Sequence, residues 1–137
     1  MEYIKYIKTI PSEEGKLAEL ALYRRQPEEA ERILLQAKPQ LVYRAIKLNI
    51  RIYRWERALE IAQKFKSHVD TVLGYRQRFL ETFQKKEDIP KFKQYRDTQV
   101  DWAAIAAKEQ EEEEEERNRV DEGDRGRGSR KWRVRQC

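Results

Sequence analysis

The sequence predicts an all-α protein, a helical-hairpin α-solenoid fragment with a long C-terminal helix and a disordered tail. The first observation is an internal repeat. The segment QPEEAERILLQAK, residues 26–38, aligns with RWERALEIAQKFK, residues 54–66, at an offset of 28 positions. The alignment places Ala30 on Ala58, and a small side chain at such a position permits close helix contact. A repeated helical unit of this length is typical of solenoids.

The second observation is the composition. The chain has 137 residues, of which 40% are charged and 39% hydrophobic. A chain this polar buries only a thin core, which favours an elongated stack of helices over a sphere. It has only 4 prolines and 5 glycines, and three of the glycines lie within residues 123–128. The rest of the chain is therefore almost free of helix breakers.

The N-terminal half contains four predicted helices. Ser12 is a candidate N-cap for the first, followed by acidic residues in the first turn. Pro27 suits the first position of the second helix, and Pro39 is predicted to begin the third. The fourth is predicted from about Arg54. Short connections make the first and second helices one antiparallel hairpin, and the third and fourth another.

The C-terminal half contains two further predicted helices. Ser67 and Asp70 match a capping box for the fifth helix, and Thr98 with Asp101 matches another for the last. We therefore predict antiparallel hairpins over residues 1–97, and a C-terminal helix carrying a glutamate run over residues 98–119. The glycines and dense charge of residues 120–137 predict a disordered basic Gly/Arg tail.

The apolar positions of the repeat predict how the hairpins pack. We expect Ala30, Ile33, Ala58 and Ile61 to form the packing between helices. Each hairpin has too little apolar area to bury by itself, so it must stack on neighbours. Apolar residues near the start (Tyr3, Ile4, Ile7 and Ile10) are then expected to form an open face, and self-association is one outcome.

Residues that support catalysis are scarce. The chain has one histidine, His68, and one cysteine, Cys137, and it has no glycine-rich phosphate loop. A metal site or an acid–base pair needs partners that these residues lack. We therefore predict no catalytic residue, no cofactor and no metal, and hence no enzyme. No signal peptide or membrane-spanning apolar run is visible, so we expect no membrane insertion.

Charge is distributed unevenly along the chain. Seven of the eight residues from 109 to 116 are glutamates, whereas residues 117–137 carry a net charge of +5. The glutamate run is predicted to be a solvated helix extension, with docking to a basic partner as the minority interpretation. The tail RGRGSRKWRVR has the composition of single-strand nucleic-acid binders. A basic nucleic-acid-binding protein is therefore the alternative function, although acidic residues precede the tail.

Large aromatic residues are candidate anchors, because aromatic side chains dominate interface energetics. We expect Trp55 to pack into a hairpin turn, and we favour a core position over an interface position for Trp102. The predicted structural or docking anchors are Trp55, Tyr75, Phe79, Phe83 and Trp102.

The chain also resembles a known family. The segment WERALEIAQKFKSHVDTVLGYRQRFLETF, the preceding AELALYRRQPEEAERILLQA and the later VDWAAI resemble the C-terminal helical region of the intraflagellar transport protein 80 family. The resemblance covers residues 3–108. It implies a tetratricopeptide-like (TPR-like) solenoid in a structural subunit of intraflagellar transport complex B, whose partners are other subunits of that complex. It also implies a location in the cilium, the ciliary base and the cytoplasm.

The chain departs from that family in one respect. Family members carry two WD-repeat β-propellers before the solenoid, and no propeller sequence is present here. We therefore expect a fragment, a short isoform or a partial gene product. Nothing from the family is carried over to residues 117–137.

Overall fold

The computed structural model describes the backbone of residues 2–136 and the side chains of residues 5–119. Within that range the chain is all-α, as predicted, and eight helices follow one another with short connections. Their bounds are α1 Glu2–Thr9, α2 Glu13–Tyr23, α3 Pro27–Gln36, α4 Val42–Arg51, α5 Trp55–Phe65, α6 Val69–Thr82, α7 Pro90–Lys93 and α8 Trp102–Gln136.

The 28-residue repeat is confirmed in the hairpin turns. Helices α2 and α3 form one hairpin and α4 and α5 the next. The turns contain Arg25 (φ 61°) and Tyr53 (φ 62°), both left-handed and 28 positions apart. In each turn the next residue, Gln26 or Arg54, donates its backbone N–H to the carbonyl five residues earlier, over 2.9 Å. Both turns are therefore the same Schellman motif.

The left-handed turn residue of the first hairpin leads to a stability prediction. A side chain at positive φ is strained, whereas glycine is not, and Arg25 is exposed. We expect Arg25→Gly to raise the free energy of unfolding by about 0.5–1 kcal/mol. Urea denaturation followed by circular dichroism measures this change. Arg25→Ala is the control, since it removes the same side chain and keeps the strain; equal stability of the two variants would contradict the prediction.

Helices α2 to α7 each contribute buried residues to one core. Ala30 and Ala58 are completely buried, and Ile61 is almost so. Ile33 is only half-buried and packs against the margin of the core, and Leu34 next to it is buried instead. The two alanines let the second helix of each hairpin approach the first closely.

Ion pairs link successive hairpins. Glu19 of α2 is buried and pairs with Arg51 of α4. Glu31 of α3 accepts hydrogen bonds from Arg57 of α5, at 2.9 Å, and from Asn49 of α4, at 3.1 Å. Burial alone would raise the pKa of Glu31, but these two donors outweigh it and lower the pKa. The carboxylate therefore stays charged and joins three helices.

Two of the predicted helix starts are wrong. Helix α4 begins at Val42 and not at Pro39, which follows a cis peptide bond; a proline in a turn does not have to open a helix. The capping box at Ser67 and Asp70 does not form. His68 is the N-cap of α6, in a left-handed conformation (φ 64°) and without a side-chain hydrogen bond to a backbone N–H of the helix. Asp70 pairs instead with Lys108 of α8, at 2.7 Å.

The C-terminal helix also starts later than predicted. Asp101 accepts a hydrogen bond from the backbone N–H of Ala104, at 3.2 Å, so Asp101 caps α8 without Thr98. The bounds of α8 reach Gln136, whereas the sequence predicts disorder over residues 120–137. The side chains of those residues lie outside the described part, and the disorder stays a prediction.

Two short helices are absent from the sequence prediction. Helix α7 (Pro90–Lys93) places Phe92 in the core. Helix α1 packs on α2 and buries Ile7 and Ile10, which are 7% and 4% exposed. The prediction that these two isoleucines form an open face is therefore wrong, because intramolecular contacts cover them. The side chains of Tyr3 and Ile4 lie outside the described residues.

Candidate interaction surfaces

Four neighbouring rings, tilted against one another, form what we call the aromatic patch: Tyr53, Trp55, Phe79 and Phe83. The Phe79 ring centroid lies 5.3 Å from those of Tyr53 and Trp55, and 4.9 Å from that of Phe83. Trp55 is buried, whereas Tyr53 and Phe83 are 61% and 55% exposed. The patch thus joins the core to solvent at the α4–α5 turn and the end of α6. Tyr53 is absent from the anchors predicted from the sequence. Its position in the turn between two helices is the feature from which its exposure could have been predicted.

Arg76 of α6 packs against two rings of the aromatic patch. Its guanidinium carbon lies 5.5 Å from the ring centroids of Trp55 and Phe79. The same group donates two hydrogen bonds of 2.9 Å to Glu87, after the end of α6. Both side chains are largely buried, at 6% and 12% exposed. The ion pair therefore holds the segment after α6 against the patch.

The other two predicted anchors, Tyr75 and Trp102, contact each other. Their rings meet edge to face, with centroids 5.2 Å apart at 86°. The guanidinium of Arg78 lies 3.6 Å from the Trp102 ring centroid. The structure therefore brings Trp55, Phe79 and Phe83 together and keeps Tyr75 and Trp102 apart from them, as the contact between α6 and α8.

A helical stripe along α8 contacts the rest of the domain. It begins with Trp102 and Ile105 and continues with Glu109, Glu112 and Glu116, which we call the acidic stripe. These spacings of three and four residues keep one face of a helix toward its neighbours. The prediction that the run from Glu111 to Glu116 is a solvated helix extension is therefore wrong for Glu112 and Glu116, because His68, Arg44 and Ser12 contact their carboxylates. Their exposed neighbours in the run fit the prediction.

Glu109 is the most fully hydrogen-bonded member of the acidic stripe. It accepts hydrogen bonds from the hydroxyls of Tyr43, at 2.8 Å, and Tyr75, at 2.9 Å. It also forms an ion pair with Lys47. The Lys47 ammonium lies 4.0 Å from the ring centroid of Tyr75. One carboxylate thus ties α8 to both α4 and α6.

Glu116 is buried, with 7% of its surface exposed. Its carboxylate accepts a hydrogen bond of 2.6 Å from Arg44 of α4 and another of 2.8 Å from the hydroxyl of Ser12. Ser12 also accepts from the backbone N–H of Gly15 at 3.1 Å, which confirms its predicted N-cap role. Between these sites, Glu112 lies 3.0 Å from Nε2 of the buried His68. His68 is thus a link between helices.

The hydrogen bonds to Glu109 predict a dependence on pH. Burial alone would raise its pKa, but donors from Lys47, Tyr43 and Tyr75 outweigh it and hold the pKa below the usual 4.5. This contribution to stability is complete above the unfolded pKa and is lost as the pH falls through the lower folded pKa. We expect the double variant Tyr43→Phe and Tyr75→Phe to raise the pKa of Glu109, measured by carboxyl NMR titration. Tyr95→Phe, whose hydroxyl accepts from Gln63, is the control; an unchanged titration in the double variant would contradict the prediction.

Other kinds of site find no support in the described residues. Among residues 5–119, no three histidine, cysteine, aspartate or glutamate side chains come together to hold a metal ion. Within the described residues, no helix is long and apolar enough to cross a bilayer. The predicted nucleic-acid segment lies almost entirely beyond residue 119, outside the described side chains. The geometry therefore offers two surfaces, the aromatic patch and the contact face of α8.

Comparison with known proteins agrees with the hairpin architecture. Residues 1–118 match the family described as the IFT80/172/WDR35/WDR19 TPR domain. The chain belongs to this TPR-domain family. In TPR-domain terms, α2 and α4 are first helices of their hairpins and α3 and α5 are second helices. The contacts of the acidic stripe are therefore to a first helix, α4, to the start of another, α2, and to α6.

Two curated relatives contain this TPR domain within much longer chains. They are the proteins named intraflagellar transport protein 80 homolog of Rattus norvegicus and of Mus musculus. Each is 48% identical over 124 residues, which is 90% of this chain. The chain spans only 16% of the length of either relative.

Proposed function

We propose that the chain is a non-enzymatic structural and protein-interaction module of intraflagellar transport complex B, acting in ciliary assembly and transport. The observation that carries the proposal is the aromatic patch on a member of this TPR-domain family. Tyr53 and Phe83 expose most of their rings to solvent beside a well-packed core. Exposed aromatic clusters of this kind mark protein interfaces. The names of the relatives support intraflagellar transport as the process.

The energetics of the patch support a protein partner. Trp55 and Phe79 hold the exposed rings in place, so a partner that covers them loses little side-chain entropy on binding. Burying an aromatic side chain contributes about 1.5–3 kcal/mol through the hydrophobic effect. Two such rings are enough to act as the centre of a small interface. The proposed partners are other subunits of complex B, and the proposed locations are the cilium, the ciliary base and the cytoplasm.

Affinity purification from ciliated cells tests this function. The tagged full chain is expected to enrich complex B subunits and to reach the cilium, and nuclease treatment is not expected to reduce the enrichment. We expect the double variant Tyr53→Asn and Phe83→Asn to reduce the enrichment of complex B subunits by at least about tenfold. A tenfold loss of affinity corresponds to a loss of only about 1.4 kcal/mol of binding free energy. Asparagine tolerates the left-handed backbone at position 53.

The matched control changes two exposed apolar residues elsewhere. Leu17 and Tyr23 are 52% and 69% exposed, and both lie on α2. Leu17→Asn with Tyr23→Asn is expected to keep the enrichment. A wild-type chain that melts cooperatively but enriches no complex B subunit would refute the proposed function. Equal losses in both double variants would refute the role of the patch.

A further inference from the structure

The second half of the contact between α8 and the domain is entirely polar. Between residues 106 and 119 the side chains that are not exposed are Glu109, Glu112 and Glu116. The apolar anchors of α8, Trp102 and Ile105, lie before this segment. Hydrogen bonds and ion pairs hold the acidic stripe, and salt weakens the ion pairs of the partly exposed Arg44 and Lys47. Detachment of this half of the helix therefore exposes no apolar side chain of α8.

The surface beneath the acidic stripe consists of positioned donors. We call it the donor face: Tyr43, Arg44 and Lys47 of α4, His68, and Tyr75 of α6. Their partners are three carboxylates spaced three and four residues apart. Arg44 and Lys47 are 23% and 27% exposed, so these cations are held by the fold. Such pre-organised donors bind carboxylates more strongly than mobile surface lysines do.

The packing of α8 on α6 leaves no space for a side chain at one position of α6. Gly74 of α6 lies where α8 crosses, and a Cβ atom there would be 2.7 Å from Cδ1 of Ile105 and 3.0 Å from Cγ1 of Val100. A glycine inside a helix costs stability, so this close approach accounts for it. Beside the C-terminal part of the acidic stripe, an open cleft of about 610 Å³ lies between α8 and residues of α1, α2 and α4, and it is bordered by Tyr6, Ile10 and Leu41.

We propose that the donor face is a binding site for an acidic helix of a partner protein, and that the acidic stripe is its built-in competitor. The ligand is defined by chemistry: a helix that carries carboxylates at the spacing of Glu109, Glu112 and Glu116. Charge complementarity carries the assignment. This site is separate from the aromatic patch, so it extends the proposed function without resting on it.

Peptide binding to the full chain tests the donor face. The probe is a fluorescein-labelled synthetic peptide of residues 100–119, and the receptor is the full chain carrying Glu109→Gln, Glu112→Gln and Glu116→Gln. At about 50 mM NaCl we expect this variant to bind the peptide at least about tenfold more tightly than wild type, because its own stripe competes less. Binding should fall several-fold at about 300 mM NaCl.

Two controls define specificity. The same peptide with glutamine at positions 109, 112 and 116 keeps four exposed glutamates and is expected not to bind. Adding Arg44→Gln and Lys47→Gln to the receptor is expected to abolish binding of the original peptide. The proposal is overturned if the glutamine peptide binds as tightly as the original, or if the folded triple variant binds no better than wild type.

A second variant, Gly74→Leu, tests the proposal if the triple glutamine variant does not fold. Gly74→Leu should displace Ile105, and with it α8, while leaving every residue of the donor face and the acidic stripe unchanged. We expect it to bind the peptide more tightly than wild type at low salt. Hydrogen exchange on the wild-type chain gives an independent measurement. Amides of residues 110–119 should exchange at least about tenfold faster at 0.5 M NaCl than at low salt, with residues 58–62 unchanged. Equal protection of residues 110–119 at both salt concentrations would overturn the proposal.

Discussion

Arg76→Met is expected to reduce the free energy of unfolding by about 3–5 kcal/mol, because it leaves the buried carboxylate of Glu87 without its cation. Arg76 also lies beside three aromatic rings, including that of the buried Phe92 at 5.4 Å. The segment after α6 and helix α7 should lose their contact with the core first. Urea denaturation gives the size of the loss, and hydrogen exchange locates it.

Two further variants separate burial from pairing as the cause. Arg32 and Glu29 form a similar two-bond pair on the exposed face of α3. Arg32→Met should therefore cost only a small fraction of the loss at Arg76, since surface pairs contribute little. Adding Glu87→Gln to Arg76→Met should recover part of the stability by removing the unpaired charge. Equal losses at Arg76 and Arg32 would show that burial of the Arg76 pair is not the cause.

Leu59→Ala is expected to reduce the free energy of unfolding by about 2–5 kcal/mol. Leu59 lies on α5 and is completely buried in the core between the two hairpins. Its removal leaves a cavity that rigid helices on both sides cannot close. Since small domains are stable by only about 5–15 kcal/mol, this loss removes a large fraction of the total stability. Thermal melting by circular dichroism measures the shift in Tm.

Leu17→Ala is the matched control for the cavity. Leu17 is also a helical leucine, but it is 52% exposed and lies on α2. Its replacement should change the free energy of unfolding by no more than about 0.5 kcal/mol. A similar loss from both substitutions would mean that helix propensity, and not the cavity, determines the effect.

The repeat could be predicted from the sequence because equivalent positions of its two copies require the same type of residue. Ala30 and Ala58 share the need for a small side chain, and both are completely buried. The turn between α4 and α5 has the same geometry as the turn between α2 and α3. In both turns backbone hydrogen bonds determine that geometry. Local chemistry and tertiary packing agree at these positions, so the sequence pattern is informative.

The wrong predictions involve residues whose contacts are made with elements distant in the sequence or not predicted from it. Asp70 fits a capping box with Ser67, but Lys108 pairs with it and His68 takes the N-cap position. The early isoleucines Ile7 and Ile10 looked unpartnered because helix α1 was not predicted. In both cases the deciding partner lies on an element whose position cannot be read from the local sequence.

The sequence by itself determined the all-α class, the two hairpins with their 28-residue period and the family to which the chain belongs. The roles of the glutamates were decided only by the tertiary structure. Residues 111–116 are six consecutive identical side chains, so no pattern within the run distinguishes Glu112 and Glu116 from their neighbours. Packing of Ile105 against Gly74 sets the rotation of α8. That rotation, propagated at 3.6 residues per turn, directs Glu109, Glu112 and Glu116 toward the donors of α4 and α6.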